Sequence, residues 1–296
     1  MESLPQDPVL RIEALQAAIG RLERVILEPP ALEASEPVFL ASIGWRSGST
    51  LMQRILMTDP ALMVWGEPLS HLLYVNRLTE LLYGFTEIWP EAGHWISHLP
   101  KVDLTRDWVA HVAPDAGHLK GAYRAFIDRW LEVPAQAAGF QRWGVKQVRW
   151  SGEEAVALRW LYPNGRFVLM VRHPVNTYLS MKQAGFTPNE RGFVLDWPDN
   201  WILDLDAFAR HWNHLALSWS AILEPLGVRW VRYEDMMGGR IDLEDLGRSL
   251  GLSLAPEEAL AVKAGGAFVP ASISAEERDR INLLTAPGRG VFAYAE

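Results

Sequence analysis

Three cations, a carboxylate and a phenol each follow an apolar run in this chain. Arg46 lies beyond run 38–43, Glu67 beyond 62–66, Lys146 closes 143–146, Arg172 follows 166–171, and Tyr233 with Glu234 and Asp235 follows 228–232. Guanidinium and ammonium groups bind phosphate oxygens, and a carboxylate accepts a proton, so the set suits a dianionic nucleotide and a proton-accepting step. The first run opens into Gly44-Trp45-Arg46-Ser47-Gly48-Ser49-Thr50, a small, hydroxyl-rich turn ahead of a helical pattern. Unsatisfied N–H groups and the dipole at a helix start favour an anion there, and Gly48 allows close approach to the main chain. The spacing fails the Walker rule: three residues separate Gly44 from Gly48, and Ser49 stands where the lysine belongs. The cation comes earlier, at Arg46.

A second anion motif begins at Arg172, with Pro174 starting a helix and Ser180 eight residues on from the arginine. A guanidinium forms paired, charge-assisted bonds to a phosphate, and a hydroxyl adds a neutral one. Two histidine pairs, His94 with His98 and His211 with His214, have spacings that share a helix face. Neither has a zincin glutamate or a clear third ligand, so both read as packing or solvent-facing residues and no metal is expected.

The apolar runs alternate with helical patterns, which predicts an α/β fold with a parallel sheet covered on both faces. In such a sheet ligands bind beyond the carboxyl ends of the strands, where all five groups converge. Ahead of the sheet, a helix is predicted over 9–27, with Ile12, Leu15, Ile19, Leu22 and Ile26 at heptad spacing. The stripe is expected to pack on the chain's own surface, with a homodimer contact through this helix as the alternative. The stretch 69–140, rich in Trp and His, reads as a helical cap over the site. Of the fourteen tryptophans, Trp89, Trp95, Trp108 and Trp130 fall there; most read as helix-packing residues, and the rest would offer faces for a sugar or aromatic acceptor. The Gly-rich tail from Lys263 through Ser272 and Ser274 reads as a flap, with Arg289 a further phosphate candidate.

The 296 residues are 49% hydrophobic, enough for a sizeable core. A net charge of -8 excludes a general nucleic-acid surface, so any anion site must be a local concentration of Arg and Lys. The absence of cysteine excludes disulfides, thiolate metal sites and cysteine nucleophiles. With neither a signal peptide nor a membrane span in the sequence, a soluble cytoplasmic protein is expected.

Over about 38–237 these motifs resemble sulfotransferases that use 3'-phosphoadenosine 5'-phosphosulfate (PAPS). Arg46-Ser47-Gly48-Ser49-Thr50 resembles their 5'-phosphosulfate loop, and Arg172 with Ser180 their 3'-phosphate pair. Run 59–67, ending Gly66-Glu67, resembles the second strand of the tyrosylprotein and carbohydrate type, whose glutamate is the base. Trp143-Gly144-Val145-Lys146 resembles the strand ending in the catalytic lysine, and Arg232-Tyr233-Glu234-Asp235 the segment whose tyrosine lies near adenine. Two departures stand out: Trp45 where proline is usual, and Gln147-Val148 after the lysine instead of x-Pro.

The resemblance implies a P-loop-like sulfotransferase domain over 37–296, an N-terminal helix and linker over 1–36, and PAPS as co-substrate without a metal. It assigns Glu67, Lys146 and Arg46 to catalysis, with Arg46 at the bond that breaks and His71 as reserve base. The expected acceptor is a small molecule, carbohydrate or glycoconjugate. A P-loop kinase would need a loop lysine and magnesium carboxylates; a noncatalytic nucleotide-binding module would not need Glu67 and Lys146.

Overall fold

The computed structural model describes residues 4–26, 30, 35–68, 73–89, 95–96, 105–106, 113–185, 202, 204–255, 257 and 270–294. Its centre is a parallel sheet of five strands, β1 Val38–Ser42, β2 Leu62–Gly66, β5 Arg142–Gln147, β6 Arg166–Val171 and β7 Arg229–Arg232. The spatial order is β2-β5-β1-β6-β7, so β1 sits in the middle and all five of its residues are buried. A separate two-stranded ladder joins β3 Trp95–Ile96 to β4 Ala113–Pro114.

Eleven helices among the described residues complete the chain. They are α1 Pro8–Arg24, α2 Ser49–Leu56, α3 Tyr74–Leu82, α4 Ala116–Ile127, α5 Val133–Ala137, α6 Gly152–Leu161, α7 Pro174–Gln183, α8 Leu205–Ser220, α9 Tyr233–Met237, α10 Leu243–Leu250 and α11 Ala275–Val291. A π-helical turn, Asp128–Glu132, joins α4 to α5.

Alternation along the strands divides the core into two layers. Phe39 and Ala41 of β1 face one way with Trp143, Phe167 and Leu169, against α1, α3, α6 and α8. Val38 and Leu40 face the other way with Val64, Val168 and Met170, against α2, α9 and α10. This double cover explains why β1 and β6 read as continuous apolar runs.

The heptad stripe of α1 is used internally: Ile12, Leu15 and Leu22 are buried in the first layer, and Val9 and Leu10 are exposed on its outer side. The helix ends at Arg24, earlier than the apolar pattern suggests. Within 69–140, α3 and α4 pack beside the sheet in the layer of α1 and α6, and Trp65 Nε1 donates to the Leu131 carbonyl at 2.9 Å. His71, His94, His98 and Trp108 lie outside the described residues.

The stretch read as a flap, 263–274, is described only in its last residues. Residues 263–269 lie outside the described residues; at the end of the stretch, Ser274 caps a helix of 17 residues through a reciprocal capping box with Glu277. Arg289 is buried in that helix and donates to the Asn282 carbonyl at 3.2 Å.

Candidate active site

The turn after β1 is held from within. Ser42 Oγ donates to the Gly44 carbonyl at 2.8 Å, and Ser47 Oγ to the Ile43 carbonyl at 2.8 Å. Thus Ser47, buried, secures the loop through its side chain. Gly44, Arg46 and Gly48 all have positive φ, at 69°, 58° and 88°. At Gly48 the choice is forced twice, since a Cβ would also stand 2.4 Å from Cδ2 of Tyr233. Ser49 and Thr50 begin α2, which has no side-chain cap, so its first N–H groups are left for another acceptor.

Two clusters flank this helix start. On one side, Lys146 Nζ lies 2.5 Å from Glu67 Oε1 and 3.5 Å from Thr50 Oγ1. The lysine side chain is 9% exposed and the glutamate side chain 29%. Neighbouring strands bring them together, for Gly66 is in register with Lys146 and Glu67 N donates to the Lys146 carbonyl at 2.9 Å. Arg149 adds a second cation, its Nη1 3.5 Å from Glu67 Oε2.

On the other side, Arg46 Nε donates to Ser180 Oγ at 3.3 Å, and Arg172 Nη1 donates to the Arg46 carbonyl at 2.8 Å. The Arg172 guanidinium lies over the Tyr233 ring, 4.3 Å from its centroid. Burial pulls the pKa of Arg172 below its ordinary value, opposed chiefly by Tyr233 and Glu234; a guanidinium starting from so high a value keeps its charge. Arg172 Nε and Thr177 Oγ1 are buried without a hydrogen-bond partner among the described residues. Buried donors normally find acceptors, so this corner suits an anion. Arg46 therefore sits with Ser180 and Arg172, across the helix start from Glu67 and Lys146.

A sulfotransferase family profile matches residues 37–256, well over half of the chain. The chain belongs to the sulfotransferase family. No curated protein matches it. Among solved structures, sulfotransferase STF9 from Mycobacterium avium is similar at 15% identity, over 98% of this chain and 84% of that one, with a TM-score of 0.47. Sulfotransferase STF1 from Mycobacterium tuberculosis H37Rv is similar at 16% identity, over 97% and 83%, with a TM-score of 0.37.

One residue beside this candidate site, Arg149, escapes a reading by strand ends. Arg149 lies in the loop beyond β5; the signal was its spacing of three from Lys146. Glu234 accepts from His173 N at 3.1 Å and from the Tyr294 hydroxyl at 2.8 Å, fastening α9 to the start of α7 and to the tail. Burial, then Arg289, lowers the His173 pKa against the pull of Glu234, while burial and Glu234 raise that of the Tyr294 phenol. Beside them lies a cleft of about 330 Å³ lined by Asn176, Arg232 and Arg240.

His211 and His214 lie on α8; burial, then His214, pushes His211 down to about 4. Among the described residues no acidic or histidine cluster is placed to hold a metal, and no helix is long and apolar enough to cross a membrane.

Proposed function

We propose that the protein transfers a sulfuryl group from PAPS to a hydroxyl of a small-molecule, carbohydrate or glycoconjugate acceptor, with Glu67 as base. The acceptor oxygen forms a bond to sulfur as the bond from sulfur to the bridging phosphate oxygen breaks. Glu67 takes the hydroxyl proton, and the departing electron pair remains on 3'-phosphoadenosine 5'-phosphate. The moving group makes little covalent structure with the protein, so in-line positioning and charge stabilisation carry the rate. Lys146 neutralises the bridging oxygen, helped by the N–H groups of the loop 47–50.

Ser47, Gly48, Ser49 and Thr50 hold the 5' end of the donor, Arg172 and Ser180 hold its 3'-phosphate, and Tyr233 lies toward the adenine. Because Arg46 is turned to Ser180, its charge is shared with the phosphate side before it assists at the breaking bond.

The observation that carries this reading is the Lys146 ammonium set between the Glu67 carboxylate and the hydroxyl of Thr50, where α2 begins. One group thereby touches both the proton acceptor and the anion cradle. The tyrosylprotein and carbohydrate type is favoured by the resemblance of run 59–67, and on this reading the protein works in the cytoplasm with its donor.

Calorimetry tests the donor: 3'-phosphoadenosine 5'-phosphate should bind without magnesium and in preference to ATP. Preference for magnesium-ATP would overturn the assignment in favour of a kinase. Labelled PAPS offered to an extract of the source organism should then yield a labelled acceptor. Donor binding without any transfer would leave a noncatalytic binding module.

A further inference from the structure

Trp45 and Arg149 have no part in the chemistry assigned so far, yet they touch. The Arg149 guanidinium lies over the Trp45 indole, 5.4 Å from its centroid, and its Nη1 reaches Glu67 Oε2 at 3.5 Å. The arginine side chain is 8% exposed, so this geometry is held by packing. Trp45 belongs to the turn proposed to cradle the donor; Glu67 directly follows the second strand. We infer that Arg149 is a positioning residue that links the donor loop to the base, carried by Trp45 on one side and holding the Glu67 carboxylate on the other. This rests on Glu67 being the base.

Lys146 explains why such a residue is needed. Its ammonium holds Glu67 Oε1 but also lies within reach of Thr50, and the bridging oxygen draws it toward the donor. A carboxylate held by that lysine alone would lose its partner at the moment when its orientation matters. Arg149 grips the other oxygen and keeps it aimed. An arginine can do this because its planar guanidinium presents a face to the indole while its edge donates to a carboxylate; a lysine has no such plane. Glu67 carries φ 25°, and Arg46, next to Trp45, carries φ 58°, so left-handed backbone that neighbouring contacts must sustain lies at one end of the link and beside the other. Seating the donor on the loop shifts Trp45, and the shift passes through Arg149 to the base.

The test uses the ¹³C carboxyl resonance of Glu67 in the full chain at pH 8, assigned by its loss in Glu67→Gln, with 3'-phosphoadenosine 5'-phosphate as probe. In Arg149→Gln the resonance should move, and its response to the probe should shrink. Trp45→Leu should shrink the response as well. Adding Trp45→Leu to Arg149→Gln should change nothing further, because both residues serve one link. Probe affinity, measured in parallel, should stay within about twofold in Arg149→Gln, so that a shrunken response there reports the link and not lost binding. Arg149→Lys provides a milder variant if Arg149→Gln fails to fold; it should keep the resting resonance and lose part of the response.

With the acceptor fraction from the extract, Arg149→Gln should slow transfer about 10- to 100-fold, as expected for a misplaced reacting group. An unchanged resonance and response in the Arg149 variants overturn the link while leaving the base assignment intact. Full transfer by Glu67→Gln removes the base, and the link's purpose with it.

Discussion

Glu67 leaves the sheet at φ 25°, a conformation an L-residue adopts only when its surroundings insist. The insistence comes from the bond of its N–H to the Lys146 carbonyl and from two cations on its carboxylate. A group fixed in this way and partly open to solvent is placed to meet an acceptor hydroxyl. Glu67→Gln should therefore lower kcat by about 10²–10⁴, the range for loss of a general base, with affinity for 3'-phosphoadenosine 5'-phosphate nearly unchanged. Arg172→Ala should do the reverse. Losing charge-assisted bonds of about 1.5–3 kcal/mol each, it should weaken donor binding about 10- to 100-fold in calorimetry while transfer at saturating donor largely persists. Equal losses of binding in both variants would mean that the two clusters are not separate in function. Glu67, Lys146 and Arg172 were legible in the sequence because each directly follows or closes an apolar strand. Arg149 was not, since it lies in the loop beyond β5 and only the fold brings it back to Glu67.

At the level of elements, strands announced themselves more clearly than helices. The five runs of the sheet lie within a residue or two of their predicted bounds; burial on both faces writes the inner strands β1 and β6 as nearly unbroken apolar sequence, whereas edge strand β7 leaves Arg229 and Trp230 exposed. Helix α11 was not foreseen: Pro287, Gly288 and Gly290 are poor helix formers, although Ser274-x-x-Glu277 is a helix-start signature. Packing explains one of those glycines. A Cβ at Gly288 would stand 2.7 Å from Cβ of Ala216 and 3.0 Å from Trp212 on α8. Gly288→Ala would gain at most about 1 kcal/mol of helix propensity, against about 1–3 kcal/mol for overpacking. The clash should win, and urea unfolding should show net destabilisation; a stabilised variant would mean that α11 can move off α8 at no cost.

The start of α6 supplies a pH test. Glu154 is buried and accepts from Ser151 N and Oγ, both at 2.7 Å, and burial followed by Glu153 pushes its pKa up from 4.5 to about 7. A raised folded pKa means that its contribution is fully present below the unfolded value and is lost as pH rises through about 7. Stability of the wild type relative to Glu154→Gln should thus improve as pH falls from 8 toward 5. An unchanged or opposite difference in urea midpoints would show that the carboxyl is ionised in the fold across that range. Next to it, Arg11 of α1 donates to both oxygens of Glu153 at 2.8 and 3.0 Å, tying the N-terminal helix to the same turn.

Across the whole molecule, a net charge of -8 coexists with a cationic edge built from residues far apart in the chain. Loop 44–50, Glu67, Lys146, Arg172 and Tyr233 come from the ends of all five strands of the central sheet. The motifs were legible as separate pieces, but their division into two clusters was not, because sequence spacing does not say that Arg46 turns toward Ser180. Since no strand alone carries the site, the unfolded chain has no equivalent for the donor to bind. Binding energy should therefore appear directly as folding stability. At one hundred times its Kd, 3'-phosphoadenosine 5'-phosphate should add about 2.7 kcal/mol and raise Tm by about 5 °C without magnesium. The rise should persist in Glu67→Gln and fall sharply at the same ligand concentration in Arg172→Ala, because the proposed function puts the donor's 3'-phosphate on the far side of α2 from Glu67. Equal rises in the two variants would show that the nucleotide sits elsewhere on the sheet edge, and a larger rise with magnesium-ATP would replace the sulfotransfer reading with a kinase.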